Sequence, residues 1–249
     1  MIDPGSFGVS DSVASVDPRV KVIAALLLSV AVALLDRPAP LALAALLALG
    51  TLFWGRLSPR LLLRRLALVN GFNLMLWLLL PPFASGEALF SLGPVGFSRE
   101  GFFLAAAISL KSNVILLFLM VLLVPIPVST LGEALCRLRL PEKLVLLLLL
   151  SYRYLFLFEA ELRRLLRGAR VRGFVPGTDL HSYRTFAHLI GMLLVRALER
   201  AHRVQAAMEL RGFTGRFHPL HDFRILPRDR LFLLFCLAAC SALGVLQWI

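Results

Sequence analysis

Five long apolar runs, separated by short basic stretches, constrain this chain more than any other feature. They are Val20–Leu35, Pro38–Trp54, Leu66–Phe83, Phe102–Val124 and Leu231–Ile249. A helix that crosses a bilayer needs about 20 mainly apolar residues, with a range of roughly 17–25. Four runs meet that length and the first is slightly short. Composition agrees, with 59% apolar residues, 17% charged residues and a mean hydropathy of +0.81. Soluble domains lie near 45–50% apolar and about 25% charged. The residues therefore predict an all-α integral membrane protein and exclude a disordered chain, a collagen and a disulfide scaffold. Cys136, Cys236 and Cys240 form no CxxC pair and sit in apolar surroundings, as small core or lipid-facing residues do.

Charge sets the expected orientation. The stretch after the second run carries Arg56, Arg60, Arg64 and Arg65 with no acid, which places it in the cytoplasm by the positive-inside rule. The stretch after the third run mixes Glu87, Arg99 and Glu100 with Gly86, Gly93, Pro94 and Gly96 and reads as external. The fourth run then returns the chain to the cytoplasm near Pro125. A sixth run, Leu144–Phe158, looks like a span. It precedes Glu159–Arg230, where 14 Arg stand against 7 Asp or Glu, a net +7 that belongs inside. Leu144–Phe158 is thus expected not to cross. The first 18 residues hold Asp3, Asp11 and Asp17 but only acids, so they lack the positive start of a signal peptide and the first run is expected to stay. The expected domains are residues 1–124 with four spans, 125–229 as cytoplasmic coupling helices, and 230–249 as the last of about five spans. The overall charge of +12 lies between or beside the apolar runs rather than on a folded basic module, which argues against nucleic acid as a partner.

The cytoplasmic block carries most of the information. Pro125, Pro127 and Pro141 punctuate a short helix near Ser129–Leu140. Glu142–Arg172 then lacks Pro throughout and Gly until Gly168, which predicts a helix of roughly 45 Å, apolar at its start and basic at its end. A break at Gly173–Gly177 follows, with Asp179 as the expected N-cap of a second long helix, about Leu180–Arg211. On it Ile190, Leu194, Ala197, Ala201, Val204 and Met208 recur at helical spacing and are expected to form its packed seam, with the two alanines allowing close approach. Both long helices close on the same three residues, Arg172-Gly173-Phe174 and Arg211-Gly212-Phe213. Gly just past a helix end and Arg in its last turn are ordinary capping chemistry. Two matched copies suggest more: a guanidinium on a rigid helix end suits a carboxylate-lined pocket, and two suit a dimeric partner.

The stretch Leu194–Phe213, with its Ala207-Met208-Glu209-Leu210-Arg211-Gly212, resembles the signature of the transmembrane T component of energy-coupling-factor (ECF) transporters, and most of all the cobalt-type CbiQ. Ser151-Tyr152-Arg153-Tyr154 and Asp17-Pro18-Arg19 with Lys21 are similar to other recurrent pieces of that family. The resemblance implies five spans plus one short and two long coupling helices. It implies that Val171-Arg172-Gly173 and Leu210-Arg211-Gly212 dock onto two ATP-binding cassette ATPase subunits, and that a cobalt-type substrate-binding (S) component sits in the bilayer beside this chain. The family form has Ala four residues before the Arg; Ala207 fits, whereas the first copy has Gly168. The solute implied is cobalt, with nickel or a vitamin as the alternatives. The location implied is a prokaryotic plasma membrane, with the N-terminus and coupling helices in the cytoplasm.

The chain has no GxxxxGK[ST] sequence, so ATP and Mg would be bound by the partner ATPase, and no cofactor or catalytic residue is expected here. His218-Pro219-Leu220-His221 lacks enough neighbouring ligands to read as a metal site. An intramembrane enzyme would need paired catalytic groups, and the spans offer no HExxH, Asp pair or GxSxG. A self-contained secondary transporter would show inverted repeats and a polar midplane site. Lys111, beside Asn113 in the fourth run, is the strongest polar point in a span. Its reading stays open between a contact with the substrate-binding subunit and stabilisation of the bundle.

Overall fold

The computed structural model describes residues 16–55, 58–83, 88–92, 95–215 and 226–248. It is all-α apart from one small hairpin. The helices are α1 (Pro18–Ala33), α2 (Pro38–Gly55), α3 (Pro59–Phe83), α4 (Arg99–Leu122), α5 (Val128–Arg137), α6 (Glu142–Val171), α7 (Leu180–Leu210) and α8 (Pro227–Trp248). Between α3 and α4, β1 (Ala88–Leu92) and β2 (Val95–Ser98) pair antiparallel, with Leu92 opposite Val95 and Ala88 opposite Ser98. The chain divides into two units, Met1–Leu131 with Asp222–Ile249, and Gly132–His221.

In the first unit, four helices are long and apolar enough to cross a membrane: Pro38–Gly55, Pro59–Leu80, Arg99–Leu122 and Pro227–Trp248. The helix α1 has 16 residues, a rise of about 24 Å against a hydrocarbon core near 30 Å. It is the short one anticipated from Val20–Leu35. The apolar residues that become buried recur at helical period: Ala24, Leu28 and Val32 on α1, Leu41, Ala44 and Ala48 on α2, Val114, Phe118 and Leu122 on α4, and Cys236 and Leu243 on α8. Helix α4 packs against α1, α2 and α3, and α8 against α1 and α2.

Helix α3 is held to α4 by polar side chains, while Leu68, Phe72, Leu74 and Leu78 face outward. Asn113 Nδ2 donates to Asn70 Oδ1 at 2.9 Å, Asn73 Nδ2 to Ser112 Oγ at 2.9 Å, and Trp77 Nε1 to Ser109 Oγ at 2.8 Å. In lipid the hydrophobic effect does not favour helix–helix contact over contact with acyl chains, so cross-helix hydrogen bonds help to specify the pairing alongside close packing.

Lys111, left open by the sequence, belongs to the bundle. Its Nζ donates to Asp36 Oδ1 at 3.2 Å and to the Ala33 carbonyl at 3.4 Å. Asp36 lies in the α1–α2 turn, so that turn sits level with the middle of α4. Gln247 Oε1 accepts from the Asp36 and Arg37 amides and ties in the end of α8. At the other end, Asp229 is 2% exposed and accepts from the amides of Asp17 (3.1 Å) and Leu226 (2.9 Å). Lys21, 3% exposed, lies in the field of Asp229 and Asp17. This buried charge set joins the starts of α1 and α8.

In the second unit, Pro141 starts α6 and the chain runs without a break to Arg172, then returns as α7. Short α5 lies close on α6: a Cβ on Gly132 would meet Leu149 Cδ2 at 2.6 Å. Leu144–Phe158 falls within α6, which is not among the four helices that qualify as spans. Asp179 takes the N-cap place of α7, but its carboxylate makes no bond to a helix N–H. It accepts instead from Ser182 Oγ at 3.1 Å, and Ser182 Oγ accepts from the Gly177 amide at 2.9 Å. The carboxylate is spent on closing the turn, which leaves Ser182 buried.

Candidate functional site

The two Arg-Gly-Phe endings fold identically. At the end of α6, the Phe174 amide donates to Ala169 O (3.1 Å) and the Gly173 amide to Arg170 O (3.0 Å). At the end of α7, the Phe213 amide donates to Met208 O (3.0 Å) and the Gly212 amide to Glu209 O (2.9 Å). Each is a Schellman cap with its glycine in the left-handed region, φ +85° at Gly173 and φ +77° at Gly212. An L side chain at that φ brings Cβ against the following carbonyl, so glycine is the residue that fits. Arg172 and Arg211 are the C-cap residues themselves, both exposed.

Each arginine follows an apolar residue that the fold leaves outside. Val171 is 88% exposed and Leu210 is 89% exposed. A cap needs neither. Each end therefore offers an apolar side chain and a guanidinium, fixed by hydrogen-bonded backbone rather than by a mobile loop. Arg172 closes α6 and Arg211 closes α7, a helix of 31 residues and roughly 45 Å.

Of the stripe expected from spacing, Ala197, Val204 and Met208 are half-buried, and Ile190, Leu194 and Ala201 are exposed. Ile190 is 53% exposed and Leu194 is 65% exposed, and neither lines a cavity against α6. Their neighbours Leu189 and Leu193 do, together with Ala197, Val204 and Met208. Ala201 is exposed on the wall of an open groove of about 640 Å³ shared with Leu146, Leu150, Tyr154 and Phe158. A period-of-four pattern cannot choose between adjacent apolar stripes on a helix that is apolar over much of its circumference.

What crosses the hairpin is an ion pair that spacing did not single out. Arg196 Nη1 donates to Glu161 Oε1, and Arg164 Nη1 donates to Glu161 Oε2 at 3.0 Å. The Glu161 side chain is largely buried. The hydrogen bond from Arg196, followed by the charges of Arg164 and Arg200, holds its carboxyl below the ordinary glutamate range. The available signal was compositional: Glu159 and Glu161 are the two acids opening an otherwise arginine-only helix end.

Around Arg172 lies a second cavity of about 700 Å³, with Arg164, Arg196, His181 and His188 on its wall and Leu165 and Met192 on its floor. Phe174 packs on Phe186 at 5.6 Å and on His181 at 6.4 Å, which fixes the turn. His202 is exposed on α7, apart from these. Among the described residues no three His, Cys, Asp or Glu come together as a metal site, and His218 and His221 lie outside the described residues.

A family comparison bears on this arrangement. The profile of the CbiQ family, described as cobalt transport protein, matches residues 10–220, which include every helix from α1 to α7 and both Arg-Gly ends. No individual curated protein matches the chain. With apolar helices fit to cross a membrane and a family match over most of its length, the chain is a membrane protein that belongs to the CbiQ cobalt transport protein family.

Proposed function

We propose that this chain is the transmembrane coupling subunit of an ATP-driven, ECF-type importer of cobalt ions. It is non-catalytic: two ATP-binding cassette ATPase subunits bind ATP and Mg and hydrolyse the nucleotide, and a membrane substrate-binding component carries the ion. Arg172 with Val171, and Arg211 with Leu210, seat in one ATPase subunit each. When the ATPase dimer closes, the two seats move and α6 and α7 pass the motion to the substrate-binding component. The hairpin faces the cytoplasm of a prokaryote, on the side of the basic stretches.

The observation that carries this reading is the pair of identical caps, one closing α6 and one closing α7, each presenting an exposed apolar residue and an arginine. Glycine alone would terminate either helix, and the same exposed apolar–arginine pair stands before it at both ends. A fork-shaped guanidinium held on rigid backbone loses little freedom on meeting a carboxylate.

The test is uptake in vesicles containing this chain, its ATPase and its substrate-binding subunit. Cobalt should accumulate only with ATP and all three components present. Uptake of nickel or a vitamin instead would replace the solute and keep the mechanism. Cobalt uptake without the ATPase would overturn the proposal.

A further inference from the structure

The two helix ends share a cap but not a charge. Residues 163–172 hold Arg163, Arg164, Arg167, Arg170 and Arg172 with no acid, whereas residues 202–211 hold Arg203 and Arg211 against Glu209. At the first end Arg163 pairs with Glu159 and Arg164 with Glu161. Arg167, Arg170 and Arg172 are exposed and take part in no ion pair among the described residues. At the second end Arg203 lies 3.9 Å from Glu199, and Glu209 stands two residues before Arg211 and accepts from Gln205 at 3.0 Å.

The helix dipole does not explain this surplus. Cations near a C-terminus are favoured, yet α7 has a matching length and an identical cap and closes without the cluster. Like charges three and four residues apart on a helix repel, so Arg167 and Arg170, which take part in no ion pair among the described residues, add a repulsive cost to this end. The cavities beside the ends differ in the same sense. The one at Arg172 has Arg164, Arg196, His181 and His188 on its wall and no acid. The one beside the α7 end is apolar through Leu147, Phe158 and Met208, with Arg200 and Glu209 as its charged members.

We infer that the two ATPase contacts are not interchangeable: the Arg172 end takes a strongly acidic surface and binds it through Arg167, Arg170 and Arg172, whereas the Arg211 end seats mainly through apolar contact at Leu210. This rests on the reading that both ends touch the ATPase. It goes beyond that reading by assigning each seat its chemistry. Two copies of one ATPase subunit would then be held unequally, the first by salt-sensitive attraction that also speeds encounter.

The experiment measures binding of the ATPase to the full chain in nanodiscs, from roughly 50 to 500 mM salt, a range over which the screening length falls severalfold. The variant Arg167→Gln with Arg170→Gln should weaken binding about tenfold at low salt and flatten the salt dependence. Arg203→Gln, the charge loss at the other end, should change neither. Restoring charge with Arg167→Lys and Arg170→Lys should recover the salt-dependent binding. Equal weakening and equal salt slopes from charge loss at either end would overturn the inference while leaving the ATPase reading intact. If Arg172→Ala and Arg211→Ala both bind as wild type, the ATPase reading itself fails. If the Gln pair keeps ATPase binding but loses binding to phosphatidylglycerol vesicles, the cluster serves the membrane and the inference is overturned.

Discussion

On α1 and α4, Ala24, Leu28, Val32, Val114 and Phe118 disappear into one shared core. On α6 and α7, helices of 30 and 31 residues, only Val145 and Ser182 become fully buried. Both regions are rich in leucine, and they spend it differently. In the membrane unit the apolar residues inside the bundle pack at helical period, while those outside meet lipid. In the hairpin Leu147, Leu155, Leu194 and Leu198 stay exposed. Two long helices joined by so little burial gain little stability from each other. The contrast is between a unit that buries its apolar residues in its own core and a unit that leaves most of them exposed.

The largest test of that contrast is Asp229→Ala. It would leave Lys21 buried without the carboxylate and strand the amides of Asp17 and Leu226. Removing one member of a buried charge set typically costs about 3–5 kcal/mol. The purified chain in detergent should melt at a clearly lower temperature, while ATPase binding by the surviving folded fraction stays normal. An unchanged melting temperature would deny the membrane unit its buried anchor.

A smaller and opposite effect is expected at the caps. Nothing lies within 4 Å of a Cβ built on Gly173 or Gly212, so Gly212→Val meets only backbone strain at its φ. That strain is about 1–2 kcal/mol. Relieving it opens the cap, which should displace Arg211 and weaken ATPase binding, while the melting temperature falls by less than in Asp229→Ala. Loss of melting temperature without loss of binding would reverse the roles given to the two regions.

The smallest effect concerns pH. Glu161 is held below its ordinary range by Arg196, so the pair contributes fully above the unfolded glutamate value of about 4.3 and is lost as pH falls through the lower folded value. Between pH 5 and 8 the α6–α7 spacing, read by spin labels at exposed positions such as Leu155 and Leu198, should stay constant. It should broaden only in stronger acid. Broadening near pH 6 would mean that a histidine, not Glu161, governs the crossing.

Much of this was legible in the residues. Pro141 and the Gly173–Gly177 break bound α6 and the start of α7, because those residues disrupt helices for local steric reasons, whereas Gly168 lies inside α6 and does not end it. The repeated Arg-Gly-Phe was visible because a cap is a local motif. What stayed hidden was tertiary. Lys111 finds Asp36 across 75 positions, Asp229 finds Asp17 across 212, and nothing local encodes either pair. The β1–β2 hairpin was read as a plain external loop. Ile190 and Leu194 were placed in the seam because periodicity identifies an apolar face but not what covers it.

The central claim is that Arg172 and Arg211 are the seats of the ATPase. Co-purification of the ATPase with the full chain, wild type against the variant carrying both Arg172→Ala and Arg211→Ala, tests it most directly. Truncating a charged partner at a desolvated interface costs about 2–5 kcal/mol. That loss at Arg172, with a smaller one at Arg211, should abolish recovery of the ATPase while the chain still inserts and melts as wild type. Recovery at the wild-type level from a correctly inserted double variant would contradict the claim.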